Sequence, residues 1–131
     1  MEQRPKVLQG QTVKVLTGCG SLFITVNNDE DGSHPIEVFA KLGKSGGCAG
    51  CMCEALGRVI SLGLQSGVSY EKYVDTLSNI RCPSPCPYPT NEGSFSCPDG
   101  IARAIKEVAG NAPKGSEDSQ GLRGEGAKQK V

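Results

Sequence analysis

Apolar and polar residues alternate through Thr12-Val13-Lys14-Val15-Leu16-Thr17, and the run stops at Gly18-Cys19-Gly20. Alternation at period two is the pattern of a half-buried strand. A second run, Ser21 to Val26, is rich in β-branched and aromatic residues, and a third covers Ile36 to Leu42. The acidic turn Asn27-Asn28-Asp29-Glu30-Asp31-Gly32 lies between them. Short links between successive strands predict an antiparallel meander.

The period changes after Gly47. Met52, Leu56, Val59, Ile60 and Gly63 recur at helical spacing, and Gly67 is placed to end that helix. Ser69 is positioned to cap a second helix, with Tyr73, Val74 and Leu77 on one face and Glu71 in the first turn. Prolines 83, 85, 87 and 89 exclude regular structure from the stretch that follows Arg81. A last helix is predicted from Ser96-Cys97-Pro98-Asp99 through Ile101, Ala102, Ile105 and Val108. Strands first and helices after give an α+β fold. We expect a small antiparallel three-stranded meander followed by three helices packed on one face, with a cysteine-based site at the loops and helix starts.

Residues 1–10 read as a flexible lead-in, 11–109 as one domain, and the Gly- and charge-rich 110–131 as a disordered tail. A chain of 131 residues is too short for a large catalytic barrel, which needs roughly 200 residues or more. Fourteen Lys and Arg balance fourteen Asp and Glu, so neither nucleic acid nor an anionic membrane is expected as the main partner. The most apolar stretch, Ala55 to Leu64, is interrupted by Gly57, Arg58, Ser61 and Gly63, so no membrane span is expected. Met1 to Lys6 lacks the apolar region of a secretory signal, and a cytoplasmic location is expected.

That location gives weight to the seven cysteines. In a reducing compartment, clustered thiols point to metal binding or redox work rather than to disulfides. Cys19 sits in the tight turn between the first two strands. Cys48, Cys51 and Cys53 open the long helix, Cys82 and Cys86 lie in the proline loop, and Cys97 starts the last helix. Thiolates at helix starts are stabilised by local positive potential. Four of them converging from a turn, a loop and two helix starts would make a tetrahedral zinc site. The same donors could hold an iron–sulfur cluster, and spacing does not choose between the two. Free cysteine is also a common core filler, but that reading weakens for a set placed mostly in Gly and Pro junctions. Cys48-Ala49-Gly50-Cys51 has the form of a redox dithiol, without the βαβ context such a motif needs.

Other motifs do not hold. A phosphate loop ending in Gly43-Lys44-Ser45 would need glycine where Val38 stands. A calcium loop starting at Asn27 would need a bidentate Glu at the same Val38. His34, the only histidine, has no readable partner for acid–base work. Asp99 and Arg81 read first as a helix N-terminal charge and a loop-anchoring cation.

Taken in order, Thr17-Gly18-Cys19-Gly20, Glu37-Val38-Phe39, Gly43-Lys44-Ser45-Gly46-Gly47-Cys48, Glu54-Ala55-Leu56-Gly57-Arg58, Ile80-Arg81-Cys82-Pro83-Ser84 and Ser96-Cys97-Pro98-Asp99 resemble the TSCPD domain. That domain occurs near the C-terminus of adenosylcobalamin-dependent ribonucleotide reductases and as small free-standing proteins. The leading Thr of its naming motif is Phe95 here. The resemblance spans residues 12–107 and implies Cys19, Cys48, Cys82 and Cys97 as the common metal site. Cys51, Cys53 and Cys86 are then additions of this chain. It further implies an accessory module docking on a larger redox enzyme or reductase subunit, not a reductase in itself. An iron–sulfur electron-transfer subunit and a Cys48–Cys51 dithiol carrier are the alternatives.

Overall fold

A computed structural model describes residues 4–32, 34–43, 47–83, 85–86 and 93–111 (of Asn111 the backbone only). Three strands, β1 (Gln9–Thr17), β2 (Gly20–Asn28) and β3 (Pro35–Leu42), form an antiparallel sheet in the order β1-β2-β3. Three helices follow, α1 (Gly47–Gln65), α2 (Tyr70–Leu77) and α3 (Cys97–Asn111). This is the α+β meander the alternation predicts.

Each turn has a local cause. Thr17 pairs with Gly20, and Gly20 takes φ +126°, a conformation open to glycine. The Thr17 hydroxyl donates to the Gly20 carbonyl at 2.8 Å and accepts from the Cys19 N–H at 3.1 Å, which closes the hairpin from inside. Period-two alternation then sends Val15, Leu22, Ile24, Val26, Val38, Ala40 and Leu42 to one face, where they form the core with Ile60, Ile101, Ile105 and Val108.

Helix α1 departs from expectation in the face it buries. Cys53, Gly57, Ile60 and Leu64 turn inward, whereas Met52 and Val59 are 65% and 59% exposed. The reason is what α1 packs against. It lies along β3, whose outer edge would otherwise present bare backbone groups. Ser61 Oγ accepts from the Val38 N–H at 2.8 Å and donates to the Val38 carbonyl at 3.1 Å, and Gln65 Nε2 donates to the Ile36 carbonyl at 3.1 Å. So close an approach requires a small residue. A Cβ on Gly57 would stand 2.9 Å from the Val38 carbonyl oxygen. By length and composition α1 also meets the requirements of a bilayer-crossing helix, which the interrupted sequence did not suggest. Its hydrogen bonds to β3 and its buried stripe make it the structural helix of this fold.

Gly67, at φ +104°, ends α1 as predicted: Val68 N–H reaches the Gly63 carbonyl at 2.9 Å and Gly67 N–H the Leu64 carbonyl at 3.2 Å. Ser69 stands at the N-cap of α2, but its side chain makes no capping hydrogen bond. α2 buries none of its residues fully and packs on α3. β1 starts at Gln9, inside the stretch read as a lead-in, and the Arg4 guanidinium meets Glu37 at 2.8 Å. α3 runs on to Asn111, past the expected boundary at 110. The tail beyond it, Lys44-Ser45-Gly46, and Pro87 to Pro89 of the proline loop lie outside the described residues.

Candidate functional site

The start of α3 is built by its own sequence. Ser96 Oγ accepts from the Asp99 N–H at 3.1 Å, the capping bond that satisfies one of the helix's orphan donors. Asp99 is 1% exposed, yet its carboxylate is fully used. It accepts from the Asn79 N–H at 2.7 Å, the Phe95 N–H at 2.9 Å and Arg103 Nε at 2.8 Å. Burial raises its pKa, but the bonds from Asn79, Phe95 and Arg103 outweigh burial and hold it below the ordinary 3.8. Asn79 accordingly tolerates φ 69°, left-handed backbone for a residue with a side chain. The Phe95 ring lies under the Arg81 guanidinium, 4.1 Å from its centroid, with Arg103 at 5.6 Å. Arg81 is therefore the loop anchor that was expected, and Asp99 joins three segments rather than merely charging a helix end.

This clamp places Cys97 in the first position of α3. Its thiol is half-buried and packs against the core that holds Cys53 of α1. The bond from Cys53 lowers the Cys97 pKa most; burial opposes it, and Thr17 and Cys19 add to the lowering, bringing the thiol to about 6. Cys53 is displaced upward, first by its bond to Cys97, then by burial and by the neighbouring sulfur charges of Cys97 and Cys19.

Cys82 adjoins the same junction through its backbone. Its N–H donates to the Phe95 carbonyl at 3.2 Å, the Cys86 N–H donates to Ser94 at 3.2 Å, and the Ser94 N–H donates to Leu16 of β1 at 3.0 Å. Of the four positions implied as a metal site, Cys82 is tied by its backbone to Phe95, two residues before Cys97, and Cys19 lies in the hairpin turn held by Thr17. Cys48 and Cys51 are exposed near the start of α1. Cys53, one of the chain's own additions, instead lines one groove together with Cys97. The helical periodicity hid this, because it put Met52 rather than Cys53 on the inner face. Thiol sulfur is the right donor for zinc. As they stand, however, no three His, Cys, Asp or Glu side chains among the described residues are grouped to hold an ion.

An apolar groove of about 400 Å³ opens beside the pair, with Met52, Val59, Leu77 and Ile80 on its walls and Cys53 and Cys97 at one side. A second cleft of about 610 Å³ lies between β3 and α1, where Cys51 faces Phe39, Lys41 and an Arg58–Glu54 ion pair of 2.7 Å.

The TSCPD domain family model matches residues 1–109. The vitamin B12-dependent ribonucleotide reductase of Streptantibioticus cattleyicolor is 35% identical over 77 residues, covering 59% of this chain and 13% of that protein. The reductases of the same name from Streptomyces clavuligerus and Streptomyces coelicolor match at 35% over 77 residues, 8% of their length. The chain thus spans a small fraction of the relatives it matches. No solved structure matches it.

Proposed function

The chain belongs to the TSCPD domain family, and on that premise we propose that it is an accessory module that docks on a larger redox enzyme, a ribonucleotide reductase foremost, through a thiol site at the start of α3. The observation that carries this reading is the placement of Cys97 at a capped helix start that Asp99 locks to two other segments, beside Cys53 on the wall of an apolar groove. The apolar groove beside it, with Met52 and Val59 mostly exposed, supports docking, since contiguous exposed apolar surface marks interaction sites. The matched region is a small part of each relative, a much larger enzyme, which supports a role beside such a catalyst.

Zinc is the cofactor we propose for the thiols. Cys19, Cys82 and Cys97 would hold it, with Cys48 or Cys53 as the further ligand, and it would fasten turn, loop and helix start to one another. A reducing cytoplasm suits such a site, in keeping with the free thiols of all seven cysteines.

Metal analysis of the full chain purified without oxygen tests the cofactor. About one zinc per chain is expected for a four-ligand site. Iron with visible absorption would replace zinc by an iron–sulfur cluster, and less than about half an equivalent of either removes the metal. Calorimetric titration onto a vitamin B12-dependent ribonucleotide reductase tests docking. A Kd in the micromolar range or tighter supports it, and no binding at about 1 mM overturns it.

A further inference from the structure

α1 is apolar enough to cross a bilayer, yet only 22% of that apolar stretch is buried. A helix that is hydrophobic all round ordinarily has protein or lipid on every side. Cys53, Gly57, Ile60 and Leu64 turn inward, and the opposite face carries Met52, Ala55, Val59 and Leu62, all of them exposed. Their spacing is three, four and three, the heptad seam of two packed helices. Glu54 and Arg58 are the only charges on α1. They stand one turn apart on one flank of the seam, exposed and paired at 2.7 Å.

We infer that this face is a dimer contact, with a second copy of the chain laying its own α1 antiparallel on the seam from Met52 to Leu62. In that orientation Met52 meets Leu62 of the second copy and Ala55 meets Val59, so a small side chain faces a branched one and no layer is overfilled. An antiparallel pair also brings like flanks together, which sets Glu54 beside Arg58 of the second copy, twice over. The apolar layers centre at the level of Gly57 and the charges at that of Leu56, about 1.5 Å apart along the helix, so one two-fold axis serves both. A parallel pair would set the charged flank against Ala49, Leu56 and Gly63, which offer no charge. This self-complementarity singles out a second copy over an unrelated helix. A seam of about three turns buries less than the roughly 1,200 Å² of a standard interface, so the dimer is weak and reversible. Met52 and Val59 also line the groove, so pairing and docking draw on one face and exclude each other. The seam itself stands without the docking reading.

Sedimentation equilibrium of the full chain tests the pairing. A reductant and a chelator keep the exposed Cys48 and Cys51, or a metal, from linking two copies. Wild type is expected to pass from monomer to dimer between about 1 and 100 µM. Ala55→Glu places a good helix former at an exposed position and should weaken the dimer at least about tenfold with a urea midpoint close to wild type, and Leu62→Glu should do the same. Two further variants read the orientation. Glu54→Arg and Arg58→Glu each set like charges together in their own dimers and should self-associate about threefold more weakly than wild type. An equimolar mixture of the two should associate more strongly than either alone, whereas an ion pair confined to one chain gives no gain on mixing. The inference is overturned if wild type stays monomeric at about 100 µM, if Ala55→Glu and Leu62→Glu dimerise as wild type does, or if mixing brings no gain. A monomer that binds the reductase, or that pellets with phosphatidylcholine vesicles, would give the face to that occupant instead. A normal dimer alongside failure to bind the reductase would remove the docking reading and leave the pair standing.

Discussion

At the scale of single residues, the Ser-Cys-Pro-Asp motif divides its labour. Ser96 caps, Cys97 supplies the sulfur, and Asp99 binds three segments together at 1% exposure. The sequence makes the cap legible, because Ser followed three residues later by an acidic side chain marks a helix start. The clamp is not legible, because its donors Asn79, Phe95 and Arg103 come from a turn, a loop and the next helical turn. Asp99→Asn keeps the shape but presents an NH₂ group to donors that need an acceptor. We expect it to lower unfolding stability by about 3 kcal/mol in urea, since hydrogen bonds to a buried charge contribute roughly 1.5–3 kcal/mol each. A loss below about 1 kcal/mol would mean that water replaces the clamp.

At the scale of elements, strands and helices differ in how firmly their pattern sets their facing. A strand has two faces, so Val13-Lys14-Val15 allows one register with the apolar side inward. α1 has apolar or small residues nearly all round, and Met52–Leu56–Val59 competes with Cys53–Gly57–Ile60–Leu64 for the core. Close approach decides between them. The edge of β3 accepts Gly57 and the hydroxyl of Ser61, and larger side chains would hold the helix away. Gly57→Ala is therefore expected to destabilise by about 1–3 kcal/mol, the range for overpacking, despite the better helix propensity of alanine. Ser61→Ala should cost about 1–2 kcal/mol by stranding the Val38 N–H. The two effects are read from urea midpoints. A Gly57→Ala protein as stable as wild type would show that α1 does not sit this close to β3.

At the scale of the whole molecule, what the chain brings together is what the sequence reads least. Cys53 and Cys97 each sit at a recognisable junction, but their meeting on one groove depends on the sheet, α1 and α3 having docked. The same holds for Arg4, placed by composition in a lead-in, which reaches across the chain to Glu37. Glu37 is 3% exposed; burial raises its pKa, and Arg4 and Asn27 together bring it below the ordinary 4.5. Arg4 donates at 2.8 and 3.1 Å, and Asn27 Nδ2 at 2.6 Å. The sign follows from the lowered value. A carboxylate whose pKa falls on folding stabilises the folded state above its unfolded value, and that stability disappears as pH drops through the folded one. Glu37→Gln, which cannot ionise, should therefore be less stable than wild type at about pH 7, with the gap unchanged down to about pH 5.5. Below 4.5 the gap should shrink, because protonated Glu37 and glutamine make nearly the same contacts. Removing residues 1–8 from both proteins should narrow the gap between wild type and Glu37→Gln at neutral pH, since Arg4 supplies the paired charge. A gap constant from neutral to strongly acidic pH, in urea midpoints of the two proteins, would mean that this carboxylate is not what ties the N-terminal segment to the sheet.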